Sequence, residues 1–158
     1  MGTALVAAVA ATFVLSACGS DGGDTAIDPG TGPTTRPTAE PTVGTYPSYA
    51  PTDYAYTLRV TCFCADANVP IRVQVVAGEV ASAVYAHDGR GHDRGDPADD
   101  YRRLTINDVI DAANDTDAYS VQVEWPAAQD HPDSVYVDQD DHMIDEEVGY
   151  AISDVDVG

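Results

Sequence analysis

The chain has 158 residues, and its 27 acidic residues against seven arginines and no lysine give a formal charge of −20 at pH 7. Such a charge excludes proteins that hold nucleic acids through phosphate contacts, and it disfavours attraction to anionic headgroups. The length suffices for one small folded domain, and the composition indicates neither a nucleic-acid partner nor a cofactor.

The first 17 residues predict a lipoprotein signal peptide. Small and apolar residues run from Ala4 to Ala17 and stop at Cys18, where the chain becomes polar. This run is too short for a membrane-spanning helix but has the length of a signal-peptide core, although no Lys or Arg precedes it. Residues 15–18 resemble the bacterial lipobox, whose cysteine is diacylated and becomes the new N-terminus. We therefore expect export, cleavage before Cys18, and anchoring by lipid at the outer face of the cell membrane.

Residues 18–52 are predicted to form a tether rich in Thr, Pro and Gly that begins with the lipidated cysteine. This segment holds six of the ten prolines and almost no aliphatic residues, so it cannot bury a core. As a flexible coil it would place the following domain on the order of 30 Å from the membrane.

Residues 53–158 predict a single α+β domain that begins with a half-buried strand. Residues 54–64 alternate between apolar and polar positions, which is typical of such a strand. The alternation places Cys62 and Cys64 on the face opposite Arg59.

A hairpin is predicted next, formed by residues 70–76 and 79–86. Gly78 lies at the tight turn between these two strands and can adopt the positive φ that the turn requires. A polar, glycine-containing loop at residues 87–103 leads on to the helix.

Residues 104–114 predict one amphipathic helix. Its apolar residues recur at helical spacing, and Thr105 can cap the first turn together with Asp108. Three more strands are predicted at residues 118–125, 134–138 and 147–155. The order βββ-α-βββ predicts an antiparallel sheet of about six strands with the helix packed on one face.

These segments together resemble the bacterial, mostly actinobacterial, lipoprotein family catalogued as domain of unknown function 6174. The most specific element runs through residues 56–64 and is followed by the hairpin with Gly78 at its turn. The acidic residues 145–147, before the last strand, are the second element. The resemblance implies an exported location and one α+β domain, and it implies no established activity.

Cys62 and Cys64 are the thiols that remain once Cys18 is lipidated, and an even count outside the cytoplasm favours a disulfide. In an extended strand their Cα atoms would lie about 6.6 Å apart, close to the upper limit of about 6.8 Å, so the bridge requires the strand to end there. A pair of buried thiols and a redox site are the alternatives. No His or Lys lies nearby in sequence to lower a thiol pKa, and Arg59 lies on the other face.

Two acidic segments are candidates for cation binding. His87 and His92 occur in a loop with five aspartates, but their spacing matches no established metal motif. Residues 138–147 fail the EF-hand pattern, because Met143 stands where the sharp turn needs glycine. The weak divalent-cation candidates in this second segment are Asp138, Asp140, Asp145 and Glu146.

The sequence favours a binding domain over an enzyme, because it contains no nucleophile elbow, zinc-protease motif or phosphate loop. We expect an exported, membrane-anchored lipoprotein that binds an envelope protein or cell-wall component. Trp125, Tyr119 and Tyr136 are candidate contacts on an uncovered face of the sheet. The alternatives are an exported thiol-disulfide redox protein that uses Cys62 and Cys64, and a divalent-cation-binding module.

Overall fold

The computed structural model describes residues 41–89 and 91–158. The predicted signal peptide, Cys18 and most of the predicted tether therefore lie outside the described residues. Within the described ranges, no helix is long and apolar enough to cross a membrane.

The described residues form six strands, a short 3₁₀ helix and one α-helix. In chain order these are β1 (Tyr54–Thr61), β2 (Ile71–Val76), β3 (Glu79–Tyr85), the 3₁₀ helix (Asp100–Arg102), α1 (Ile106–Ala113), β4 (Ser120–Glu124), β5 (Ser134–Asp138) and β6 (Val148–Val157). The prediction of a six-stranded antiparallel sheet with one helix is confirmed. The 3₁₀ helix lies in a segment that the sequence predicted to be loop.

The strands form one sheet in the order β3-β2-β1-β6-β5-β4, and every neighbouring pair is antiparallel. The first three strands and the last three each form a meander, and the pairing of β1 with β6 joins the two meanders. The first and last of the described strands therefore occupy the centre of the sheet.

Alternation along β1 puts its apolar side chains into the core, as the sequence predicted. Tyr54, Tyr56, Leu58 and Val60 are buried, whereas Arg59 is exposed on the opposite face. The helix covers the buried face and contacts β5 and β4. Its own buried residues are Ile106, Val109, Ile110 and Ala113.

Two buried tyrosines and a capping box fix the start of α1. The Oγ1 atom of Thr105 accepts a hydrogen bond from the Asp108 backbone N–H at 3.1 Å, and the Asp108 carboxylate accepts one from the Thr105 N–H at 2.7 Å. The Tyr54 hydroxyl accepts from the backbone N–H of Ile106 at 3.1 Å, and the Tyr56 hydroxyl donates to the carbonyl of Leu104. The predicted N-cap is thus confirmed, and β1 sets where the helix begins.

The β2–β3 hairpin turns at Ala77 and Gly78, which both have positive φ, at 52° and 81°. Positive φ at both central residues is the requirement of a two-residue turn of type I′, and glycine meets it without steric strain. The predicted role of Gly78 is confirmed, while Ala77 adopts a conformation that alanine rarely takes.

Residues 46–49, which we call the strap, pack against the domain although the sequence assigned them to the tether. The side-chain amide of Asn107 accepts a hydrogen bond from the Tyr49 N–H at 2.8 Å and donates one to the Tyr49 carbonyl at 3.1 Å. Asn114 makes the same pair of bonds with Tyr46, at 2.8 and 3.0 Å. The Tyr49 side chain is buried and meets Tyr54 edge to face. Packing therefore begins before residue 53.

Candidate functional site

The disulfide lies immediately after β1. The strand ends at Thr61, the chain turns so that the Cys64 N–H donates to the Cys62 carbonyl at 2.8 Å, and the two Cα atoms lie 5.3 Å apart. This separation is shorter than an extended strand allows, which is the geometry that the sequence required, and the two sulfurs form the predicted disulfide. Both cysteines are partly exposed, and Phe63 between them is 84% exposed.

Arg102, at the end of the 3₁₀ helix, extends to the disulfide. Its side chain is fully buried, and its Nη2 atom lies 3.1 Å from the Cys64 Sγ and 3.9 Å from the Cys62 Sγ. The Nε atom donates to the Tyr101 hydroxyl at 3.0 Å. Among the described residues, Nη1 has no hydrogen-bond partner and no carboxylate lies within ion-pair distance of the guanidinium. A buried charge without a counter-ion is unfavourable, and the face of the Tyr101 ring, whose centroid is 5.1 Å from the guanidinium carbon, offsets this only in part.

A cavity of about 390 Å³ opens between the loop after β1 and the loop after β3. We call it the acidic pocket. Its lining includes three carboxylates and, among the described lining residues, neither lysine nor arginine. The lining residues are Asp66, Tyr85, Gly91, His92, Asp96, Pro97 and Asp99.

His92 forms one wall of the acidic pocket. Its ring stacks on the Tyr85 ring with centroids 3.7 Å apart, and only 8% of the residue is exposed. Its Nδ1 atom lies 3.6 Å from the Asp66 Oδ1. In the described part of the chain, both ring nitrogens and that carboxylate oxygen are buried without a hydrogen-bond partner. Since nearly all buried polar atoms in folded proteins are paired, these atoms are suited to contact a ligand.

The phenol of Tyr85 lies between two carboxylates of the acidic pocket. Its hydroxyl lies 3.3 Å from the Asp66 Oδ2 and 3.5 Å from the Asp99 Oδ2, and its one proton can be donated to either. Burial raises the pKa of Tyr85, the charges of Asp99 and Asp66 raise it further, and the charge of Arg102 opposes the rise. The buried guanidinium therefore acts on the pocket as well as on the disulfide.

The histidines and aspartates of the loop at residues 87–103 separate in the fold. His92, Asp96 and Asp99 come together in the acidic pocket, and Asp66 joins them from a loop that the sequence analysis did not include. His87 is exposed and is not among the lining residues.

In the described ranges, the group within metal-ligand range is Asp140, Asp141 and His142, all exposed. Of the four candidates predicted in this segment, only Asp140 belongs to that group. The side chain of Glu146 instead has a buried Oε1 atom without a partner. Desolvation, followed by the charges of Asp140 and neighbouring carboxylates, raises the pKa of Glu146.

The three aromatic candidates do not share one environment. The Trp125 ring stacks on Tyr46 of the strap at 5.3 Å, and its Nε1–H donates to the Gln129 carbonyl at 3.0 Å. Tyr119 is 62% exposed and Tyr136 is 38% exposed. The strap thus covers the tryptophan, whereas the two tyrosines stay accessible.

Arg102, Asp66 and Tyr85 are site residues that the sequence did not predict. Arg102 lies 38 positions from Cys64 in a polar loop, where arginine is normally solvated. The segment contains no motif that predicts a buried guanidinium. The contact arises because the loop after β3 returns across the end of β1.

A model of a family of unknown function (DUF6174) matches residues 38–157. The match includes the strap, all six strands, the disulfide and the acidic pocket. No curated protein and no solved structure matches the chain.

Proposed function

We propose, for a chain that belongs to the DUF6174 family of unknown function, that it is a membrane-anchored extracytoplasmic lipoprotein whose domain binds a positively charged group of an envelope component. The observation that carries the binding function is the acidic pocket, where buried atoms of Asp66 and His92 have no hydrogen-bond partner among the described residues. The anchor is supported by the lipobox resemblance at residues 15–18.

The pocket suits a cation both in charge and in size. Its three carboxylates attract an ammonium or guanidinium group, and the net charge of −20 raises the local concentration of cations around the whole protein. An N–H donor from the ligand would satisfy the Asp66 Oδ1 atom, and such charge-assisted hydrogen bonds are the stronger class. A cavity of about 390 Å³ falls within the usual range of ligand sites and accommodates a lysine or arginine side chain.

Binding of short cationic peptides tests this proposal. The full chain with Cys18→Ser is titrated with trilysine and with triarginine at low salt, and affinity is measured by calorimetry. We expect Asp99→Asn, which removes one exposed carboxylate of the pocket, to weaken binding about tenfold. The matched control is Asp111→Asn on the exposed side of α1, which changes the net charge equally and should alter affinity less than twofold.

Equal weakening by both variants would mean that the peptides respond to net charge alone, and the proposed site would be rejected. Undetectable binding of both peptides by the parent chain would reject it as well.

The anchor is tested separately by intact mass. We expect the protein purified from membranes to begin at Cys18 and to carry acyl chains, and Cys18→Ser to abolish both the cleavage and the added mass. An uncleaved, unmodified parent chain in the membrane fraction would contradict this part of the proposal.

A further inference from the structure

The contact between Arg102 and the disulfide is not required by cation binding. The guanidinium is fully buried, and among the described residues it has no carboxylate partner. Its nearest sulfur, the Cys64 Sγ, lies at 3.1 Å. A disulfide sulfur is neutral and a weak hydrogen-bond acceptor. In the oxidised state the guanidinium therefore contacts the hydroxyl and the ring face of Tyr101, whose centroid is 5.1 Å from the guanidinium carbon, but among the described residues it has no anionic partner.

Reduction of the disulfide changes this balance. It creates a thiol at Cys64, and the thiolate form of that group would lie within hydrogen-bond distance of the guanidinium. A neighbouring arginine lowers a thiol pKa because it favours the negative form. The reduced state therefore gains an ion pair that the oxidised state lacks, and stabilisation of the reduced form makes a disulfide a stronger oxidant.

We infer that the Cys62–Cys64 disulfide is a thiol-disulfide exchange site, with Arg102 as the positioning residue that stabilises the Cys64 thiolate. The substrate class is an exported protein that presents a pair of thiols. This activity goes beyond the proposed binding of a cationic group.

The position of the disulfide is compatible with exchange. Both cysteines are partly exposed, and Phe63 presents an exposed aromatic ring to an approaching chain. The two cysteines are separated by two positions, so the bridge constrains only a very short loop of the unfolded chain. Such a bridge contributes little to stability through loop entropy. A purely structural role therefore does not account for this disulfide.

The exchange begins when a substrate thiol loses its proton to solvent and the thiolate attacks the Cys62 Sγ. The Cys62–Cys64 bond breaks and its electron pair passes to the Cys64 Sγ, which leaves as the thiolate beside Arg102. A thiolate whose thiol has a low pKa leaves faster. Attack on the Cys62 Sγ is therefore favoured, because the Cys64 sulfur beside Arg102 is then the leaving group.

The second substrate thiol, also deprotonated, then attacks the substrate sulfur of the mixed disulfide. Cys62 leaves as a thiolate and takes up one of the two released protons, while the other proton stays in solvent. The substrate dithiol has lost two electrons and become a disulfide, and the cysteine pair has gained those two electrons.

Other ionisable groups surround Arg102 and the Cys64 sulfur. Asp66 is on the same loop as the cysteines, and Tyr85 on β3 contacts both Asp66 and Asp99. Tyr101 accepts from the Arg102 Nε, and His92 stacks on Tyr85. Further members of this surrounding group are Asp96 and Asp99 of the acidic pocket. The carboxylates oppose a thiolate, and Arg102 is the group in direct contact with the sulfur.

The test measures the equilibrium of the cysteine pair with reduced and oxidised glutathione in the full chain with Cys18→Ser. Samples are acid-quenched, alkylated and weighed by mass spectrometry. We expect Arg102→Met to lower the equilibrium constant for reduction at least tenfold, which corresponds to about 30 mV. Arg102→Lys keeps the positive charge and should lower the equilibrium constant less than Arg102→Met does. Arg72→Met, which removes a positive charge from β2, is the matched control and should change the constant less than twofold.

A second measurement needs no variant at Arg102. Thiolate absorbance of the reduced chain is followed against pH, and we expect the first thiol to titrate at least one unit below the ordinary value of about 8.5. An equilibrium constant for Arg102→Met within twofold of the parent would overturn the inference. A first thiol that titrates at or above the ordinary value would also overturn the inference. Because this titration uses the parent chain, it decides the question even where Arg102→Met fails to fold.

Discussion

The two ends of β1 bury polar groups in opposite ways. Near Tyr54, the strap is held by Asn107 and Asn114, whose side-chain amides each pair with both backbone groups of a strap tyrosine. Beyond Thr61, the structure instead buries the guanidinium of Arg102 and the ring of His92. The Nη1 atom of the guanidinium and both ring nitrogens have no hydrogen-bond partner in the described part of the chain. Paired polar atoms stabilise a fold, whereas buried unpaired ones mark a site that a ligand or a second chemical state can complete.

This contrast agrees with the proposal that one end of the domain serves stability and the other serves binding and exchange. It also explains why the strap matters although it lies in a proline-rich segment. The strap contributes a buried tyrosine and covers Trp125. Its two tyrosine backbones are hydrogen-bonded by Asn107 in α1 and by Asn114 directly after it. We expect the following variants to distinguish the two ends.

Asn107→Ala should have the largest effect on stability. It leaves the N–H and carbonyl of Tyr49 without partners, and we expect a loss of about 2 kcal/mol in the free energy of unfolding, measured by urea denaturation. Asp111→Ala on the exposed side of the same helix is the control and should change stability by less than about 0.5 kcal/mol. Equal effects of the two variants would show that the strap is not held by these bonds.

Arg102→Met should have a smaller effect on the oxidised protein. Replacement of a buried charge by an apolar side chain of similar volume is often neutral or stabilising, so we expect a change within about 1 kcal/mol in the free energy of unfolding. The measurement is urea denaturation without reductant. A loss above about 2 kcal/mol would break the comparison, because it would place Arg102 among the structural contacts.

Glu146→Gln should have the smallest effect on stability. This effect should depend on pH, because it follows the titration of the Glu146 carboxyl. The pKa of Glu146 is raised, so protonation of this group stabilises the fold below its ordinary value of 4.5, and that contribution is lost as pH rises through the folded-state value. The variant should therefore raise Tm slightly at pH 7, with no difference remaining below pH 4.5. Glu79→Gln is the exposed control, and an equal rise for both variants would reject a special role for Glu146.

Local patterns in the sequence predicted the elements well. The alternation in β1, the capping box of Thr105 and Asp108, and the turn at Gly78 each depend on neighbouring residues, and all three are confirmed. The cysteine pair also belongs to this class, because strand geometry alone required β1 to end before a bridge could form.

Long-range features could not be predicted in the same way. The strap was missed because its composition is that of a tether, and its partners Asn107 and Asn114 lie 58 and 68 positions away. Arg102 was missed because its burial depends on how one loop crosses another. The order of the strands in the sheet could not be predicted from the sequence either. Alternation shows which face of a strand is buried but not which strand lies beside it.

The central position of β6 has a consequence for how the domain assembles. β1 and β6 are among the most distant segments of the folded domain in sequence, yet they form the seam between the two meanders. Contacts between such distant segments make folding slow, because a long loop must close before the pairing stabilises it. Until Val148–Val157 is available, the edges of β1 and β5 that pair with this strand stay unpaired and open to other chains. If the chain is exported N-terminus first, as proposed, the edge of β1 would therefore stay exposed until β6 has crossed the membrane.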